Sequence, residues 1–151
     1  MIDAFVDAAI TGDIDRVIQM MVFEHEPCGE EQGNPGPPEC PAGIPVGTPV
    51  EAFQVVLCDG GMMNRQTAEQ HVRSQLELRP PELWAIARSG GTREGWQHRV
   101  TLLLKGNDAD VLIDFHLSDD GLVSMWGCSA NLELRTPEPG IEYIVPPPAL
   151  R

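Results

Sequence analysis

A chain of 151 residues has the usual size of one domain and is long enough to bury a substantial core. Its 23 Asp and Glu against 10 Lys and Arg give a net charge of −13, which repels phosphate backbones and anionic lipid headgroups. We therefore expect neither nucleic acid nor a membrane surface as a partner. No apolar run approaches the ~18 residues that a membrane helix needs, so membrane insertion is not expected either.

The chain begins with two short amphipathic helices. Apolar residues follow the i, i+3, i+4, i+7 pattern from Ile2 to Ile10, and again from Ile14 to Val22. Between them Gly12 can adopt the left-handed conformation that ends the first helix, and Asp13 can cap the start of the second. The pattern predicts a helical hairpin whose two apolar faces need a partner surface.

Residues 24–49 form a Pro- and Gly-rich segment, in which we predict no regular element. A disulfide between Cys28 and Cys40 would close a loop of about a dozen residues and stabilise the fold by ~3 kcal/mol, and we predict this bond. The bond would indicate an oxidising, extracytoplasmic compartment, whereas two reduced thiols would indicate the cytoplasm. Glu24-His25-Glu26 could bind a cation, although a solvated acidic corner is the preferred interpretation because adjacent residues seldom point the same way.

The other two cysteines, Cys58 and Cys128, lie at strand ends among apolar residues. They are predicted to be plain core residues rather than a second bridge. No C-x-x-C pair or close pair of histidines is present, so neither a zinc site nor any other metal or cofactor is predicted.

A strand at 52–58 precedes a third helix. Thr67 and Gln70 fit a capping box at the start of this helix, and apolar residues recur behind them at the helical period. Pro80-Pro81 ends it.

In the rest of the chain apolar and polar residues alternate with the period of two that is typical of strands. Short turns separate segments at 83–88, 97–105, 110–117 and 122–128, which predicts an antiparallel meander. The predicted fold class is α+β, with the helical hairpin and third helix packed on a curved antiparallel sheet. We expect one domain at 1–134, with the 24–49 segment as an insertion and 135–151 as an extended Pro-rich tail.

One family resemblance is carried by the hairpin sequence IDAFVDAAITGDIDRVIQMM, the third helix and the terminal meander. Together they resemble the nuclear-transport-factor-2-like superfamily, a group of polyketide-cyclase-like proteins with a cystatin-like α+β cone. The GDID corner is the most typical local match, and the resemblance covers roughly residues 1–23 and 50–134. It implies a bent sheet wrapped against helices with a pocket inside. The superfamily includes isomerases, dehydratases, polyketide cyclases, transport adaptors and domains with no known reaction, so it implies no single activity. CPAGIPVGTPVEAF also resembles stretches in secreted bacterial proteins of this group.

The 110–117 strand carries a candidate acid–base pair. Its odd positions are apolar, and strict alternation puts Asp114 and His116 together on the second face. Carboxylate beside imidazole is a usual general acid/base grouping, and in the superfamily that this chain resembles such residues commonly sit inside the cone. On the preceding strand just one of His98 and Arg99 can share that face.

We predict His98, Trp126 and Trp84 as further pocket-lining residues. The alternative is that the polar positions mark only the solvent-exposed face of a sheet. No phosphate loop or Gly-x-Ser-x-Gly elbow is present. The first hypothesis is therefore a non-catalytic module that binds a small apolar ligand or dimerises through its sheet. The alternative is a cofactor-independent isomerase, cyclase or dehydratase that uses Asp114 and His116 as acid and base. A third is a structural domain of a larger extracytoplasmic protein.

Overall fold

The computed structural model describes residues 1–30, 36–56, 61–78, 81–88, 96–105, 110–129 and 141–148, with the backbone alone at 78, 128 and 129. Three helices pack on a curved, open, mixed sheet that has eight strands in this part of the chain. This is the α+β class that the sequence predicts. None of the described helices combines the length and apolar character needed to cross a bilayer.

The elements follow one another in the order α1 (Ile2–Thr11), α2 (Ile14–Gln19), β1 (Glu24–Pro27), β2 (Pro49–Val56), β3 (Gly61–Asn64), α3 (Arg65–Leu78), β4 (Pro81–Arg88), β5 (His98–Leu104), β6 (Val111–Leu117), β7 (Leu122–Ser129) and β8 (Glu142–Val145). The strand order is β1-β2-β7-β6-β5-β4-β8, and β3 pairs with β2 outside this path. β4 to β7 form the predicted antiparallel meander. The β2–β7 pairing is parallel, so the sheet is mixed rather than antiparallel throughout.

The helix ends follow from local chemistry. α1 ends at Gly12, whose φ of 76° is the left-handed conformation that glycine tolerates best. The Asp13 side chain accepts a hydrogen bond from the Arg16 N–H and caps α2. At α3 the Asn64 side-chain oxygen accepts from the Thr67 N–H at 3.0 Å, so the cap is Asn64 and the predicted capping box at Thr67 is wrong. The helix begins directly after β3, which places Thr67 inside its first turn.

The core lies between the helices and one face of the sheet. Phe5 of α1 meets Phe115 of β6 with ring centroids 5.1 Å apart, and both side chains are fully buried. The odd-numbered residues of β6 and their neighbours on β2, β5 and β7 join the same apolar cluster. Burial of this surface is the main term that holds the helices on the sheet.

The Pro- and Gly-rich segment contains a strand, so the prediction of no regular element is wrong there. β1 pairs antiparallel with the start of β2, and the ladder ends with Pro27 opposite Pro49. Proline is tolerated at that end because it needs no partner for an N–H. The predicted Cys28–Cys40 disulfide is confirmed, with the two Cα atoms 4.8 Å apart.

The other end of the sheet also extends past the predicted elements. Residues 142–145 form β8, which pairs with β4 where the sequence predicts coil. The division of the chain at residue 134 stays a prediction. Cys58 and the side chain of Cys128 lie outside the described residues, as does any pairing between them.

Candidate functional site

The candidate site lies on the face of the sheet that the helices do not cover. Phe115 and the other odd residues of β6 face the helices, so Asp114 and His116 point to the opposite side. Both are buried, with 6% and 3% of their surface exposed. The two therefore share a face, as the alternation predicts, and that face is not exposed to solvent at these two positions.

The pairing register decides which neighbour joins them. Across β5 and β6, Arg99 stands opposite His116 and Thr101 opposite Asp114. His98 stands opposite Leu117, a residue of the helix-packed core. Directly opposed residues share a face, so Arg99 accompanies the pair and His98 does not.

Asp114 and His116 have different hydrogen-bond partners. The Thr101 hydroxyl donates to Asp114 Oδ1 at 2.6 Å, with both side chains buried. His116 Nδ1 lies 2.9 Å from the hydroxyl oxygen of Ser124, which is 3% exposed on β7. Burial of these polar groups is tolerated because each is hydrogen-bonded.

Two tryptophans surround the imidazole of His116. Trp96 stacks on it with centroids 4.4 Å apart and planes 7° from parallel. Trp126 meets it edge-on, with centroids 5.1 Å apart. The Trp126 indole N–H is buried and has no hydrogen-bond partner among the described residues.

These side chains border a cleft of ≈350 Å³, a volume within the range of small-molecule sites. In the described part of the chain its lining residues are Gln54, Trp96, His116, Ser124 and Trp126. A second cavity of ≈200 Å³ shares two of these, Gln54 and Ser124. Its other lining residues among those that the structure describes are Val22, Glu24, Glu26, Ala52, Met62 and Val123.

Of the predicted pocket-lining residues, Trp126 borders the cleft. Trp84 is half-buried beside a bulge in β4, and neither it nor His98 is among the described lining residues. Asp114 lies on the same face as the cleft but is not in its lining either.

Sequence reasoning missed Gln54, Ser124 and Trp96 as lining residues. A signal existed for the first two: each is a polar residue at an alternate position within an apolar strand. Trp96 precedes β5 and carries no such pattern.

Within the described residues no group of three or more His, Cys, Asp or Glu side chains is placed to hold a metal ion. Comparison with models of known protein families gives no match for this chain, and comparison with curated proteins gives none either.

Proposed function

We propose that this protein binds a small organic molecule in the cleft beside His116. The observation that carries the proposal is the lining itself, in which two tryptophans and an imidazole are combined with the side chains of Gln54 and Ser124. Largely apolar and aromatic walls with a few converging polar groups are typical of ligand sites.

We further propose that the fold belongs to the nuclear-transport-factor-2-like superfamily. The order of elements supports this: a helical hairpin, three strands, a third helix and a four-stranded meander. The resemblance implies a pocket between helices and sheet, whereas both cavities described here lie on the opposite face. The site is therefore proposed from its own geometry and not from the family.

A thermal-shift series with neutral, flat aromatic probes tests the binding function. Naphthol should raise the melting temperature, because a ligand that binds only the folded chain stabilises it by RT ln(1 + [L]/Kd). Trp126→Ala should abolish the shift, and Trp84→Ala, which removes a tryptophan outside the described lining, should retain it. No shift from naphthol or any other flat probe would contradict the proposal.

A catalytic role is the second candidate, and the position of His116 at the cleft supports it. Its contact with the Ser124 hydroxyl orients the imidazole, and a positioned imidazole is the commonest general acid or base. Dehydration of a panel of β-hydroxy ketones would test this. Turnover should fall at least ~100-fold in His116→Asn and persist in His25→Asn. Absence of turnover by the unmodified protein would contradict it.

A further inference from the structure

The second cavity is bordered by two carboxylates on one face of β1. Glu24 and Glu26 stand opposite Ala52 and Val50, and their cavity also contains Gln54. His25 lies between them and so points to the other side of the strand. In the described part of the chain neither glutamate makes an ion pair, in contrast to Glu51, which is paired with Arg65.

The two cavities adjoin on the same face of the sheet, and we call the two together the groove. Gln54 and Ser124 line both, and these two residues are opposite each other in the β2–β7 ladder. Ala52 of β2 stands opposite Glu24, and Val56 of β2 stands opposite Trp126. These two positions are ~13 Å apart along the strand. A ligand that fills the groove is therefore elongated, with one end at the tryptophans and the other at the carboxylates.

The charge of the groove determines whether a cationic or an anionic ligand is favoured. The described lining residues of both cavities include two glutamates and no lysine or arginine, and the whole chain carries −13. This field attracts cations and repels anions.

We propose that the groove binds an elongated organic cation, with its flat apolar body beside Trp96 and Trp126 and its ammonium group at Glu24 and Glu26. This inference rests on the proposed binding function and adds the chemical class of the ligand.

Two probes of matched shape, naphthylbutylamine and its neutral counterpart naphthylbutanol, test the inference by isothermal titration calorimetry. The amine should bind more tightly than the alcohol. The double variant Glu24→Gln with Glu26→Gln should weaken binding of the amine by about tenfold, because it removes both carboxylates that pair with the ammonium group. Its affinity for the alcohol should not change.

A charge-matched control separates the groove from the general field of the molecule. Asp3→Asn with Glu39→Gln removes the same charge from two exposed positions outside the described lining of either cavity. This variant should bind the amine as the unmodified protein does.

The outcomes distinguish the inference from the function on which it rests. Equal affinity for amine and alcohol, or equal weakening in the control variant, overturns the cation selectivity and leaves the binding function standing. Loss of both probes in the glutamate variant also overturns it, since the glutamates would then support the cleft and not the ammonium. Failure of the unmodified protein to bind either probe overturns both proposals.

Discussion

The indole of Trp96 lies flat on the imidazole of His116, with ring centroids 4.4 Å apart. This contact joins the residues just before β5 to the middle of the β6–β7 ladder, and it forms one wall of the cleft. The imidazole is held from two further directions, by the edge of Trp126 and by the Ser124 hydroxyl. The candidate site is thus a set of mutually positioned side chains and not a single reactive residue.

Trp96→Ala should lower the free energy of unfolding by about 1 kcal/mol from the lost ring pair, in addition to the loss of buried area. It should also abolish the thermal shift with naphthol, because one wall of the cleft is removed. Urea unfolding and the thermal-shift assay measure the two effects. Trp84→Ala is the matched control: it should cost stability and keep the shift. Retained binding in Trp96→Ala would contradict the proposed position of the ligand.

Thr101→Val should destabilise the fold by about 1–3 kcal/mol, since it leaves the buried Asp114 carboxylate without the hydroxyl donor at 2.6 Å. The change keeps the shape of the side chain. A double-mutant cycle with Asp114→Ala, which removes the acceptor, followed by urea unfolding, measures the coupling. Purely additive effects would show that this hydrogen bond does not stabilise the folded state.

The disulfide should stabilise the chain against unfolding by about 3 kcal/mol, because it closes a loop spanning 12 positions in the unfolded state. A reductant should therefore shift the urea midpoint downward. The variant Cys28→Ser with Cys40→Ser should start from the lower midpoint and no longer respond to reductant at this bond. Unchanged stability on reduction, with both thiols shown free by titration, would contradict the prediction.

His71 should make stability depend on pH. Its partial burial on α3 lowers the pKa of the imidazole below the ordinary value of 6.5. Between the two pKa values the unfolded chain takes up a proton that the folded chain does not. The stability contributed by neutral His71 is therefore fully present above pH 6.5 and is lost as the pH falls through that window.

Urea unfolding between about pH 5 and about pH 8 measures this effect. His71→Gln, which does not titrate, should flatten the dependence relative to the unmodified protein, whereas His25→Gln at an exposed position should not. The same pH dependence in both variants would exclude His71 as its source.

Local patterns predicted much of the fold because they depend on neighbouring residues. The stop at Gly12 and the cap at Asp13 are both found where the sequence places them. The period-two alternation around Asp114 and His116 correctly separates the two faces of β6. The disulfide was predictable because a Pro- and Gly-rich loop has little else to hold its backbone.

Pairings between distant segments were not predictable in the same way. β1 reads as coil because Pro27 is a poor strand former, and only its ladder with residues 49–52 of β2 makes it a strand. The parallel β2–β7 pairing joins residues about seventy positions apart and leaves no local signature. The cap at Asn64 depends on where β3 ends, because the helix follows it without a loop.

The sequence by itself determined the charge, the helical hairpin, the strand faces and the disulfide, since propensity, periodicity and loop chemistry act over short stretches of chain. The tertiary structure alone decided that Arg99 and not His98 accompanies His116, and that Gln54, Trp96 and Ser124 complete the cleft. It also decided that a second cavity, bordered by Glu24 and Glu26, adjoins the cleft. These relationships depend on strand register, and a shift of one residue would turn every one of these side chains to the other face.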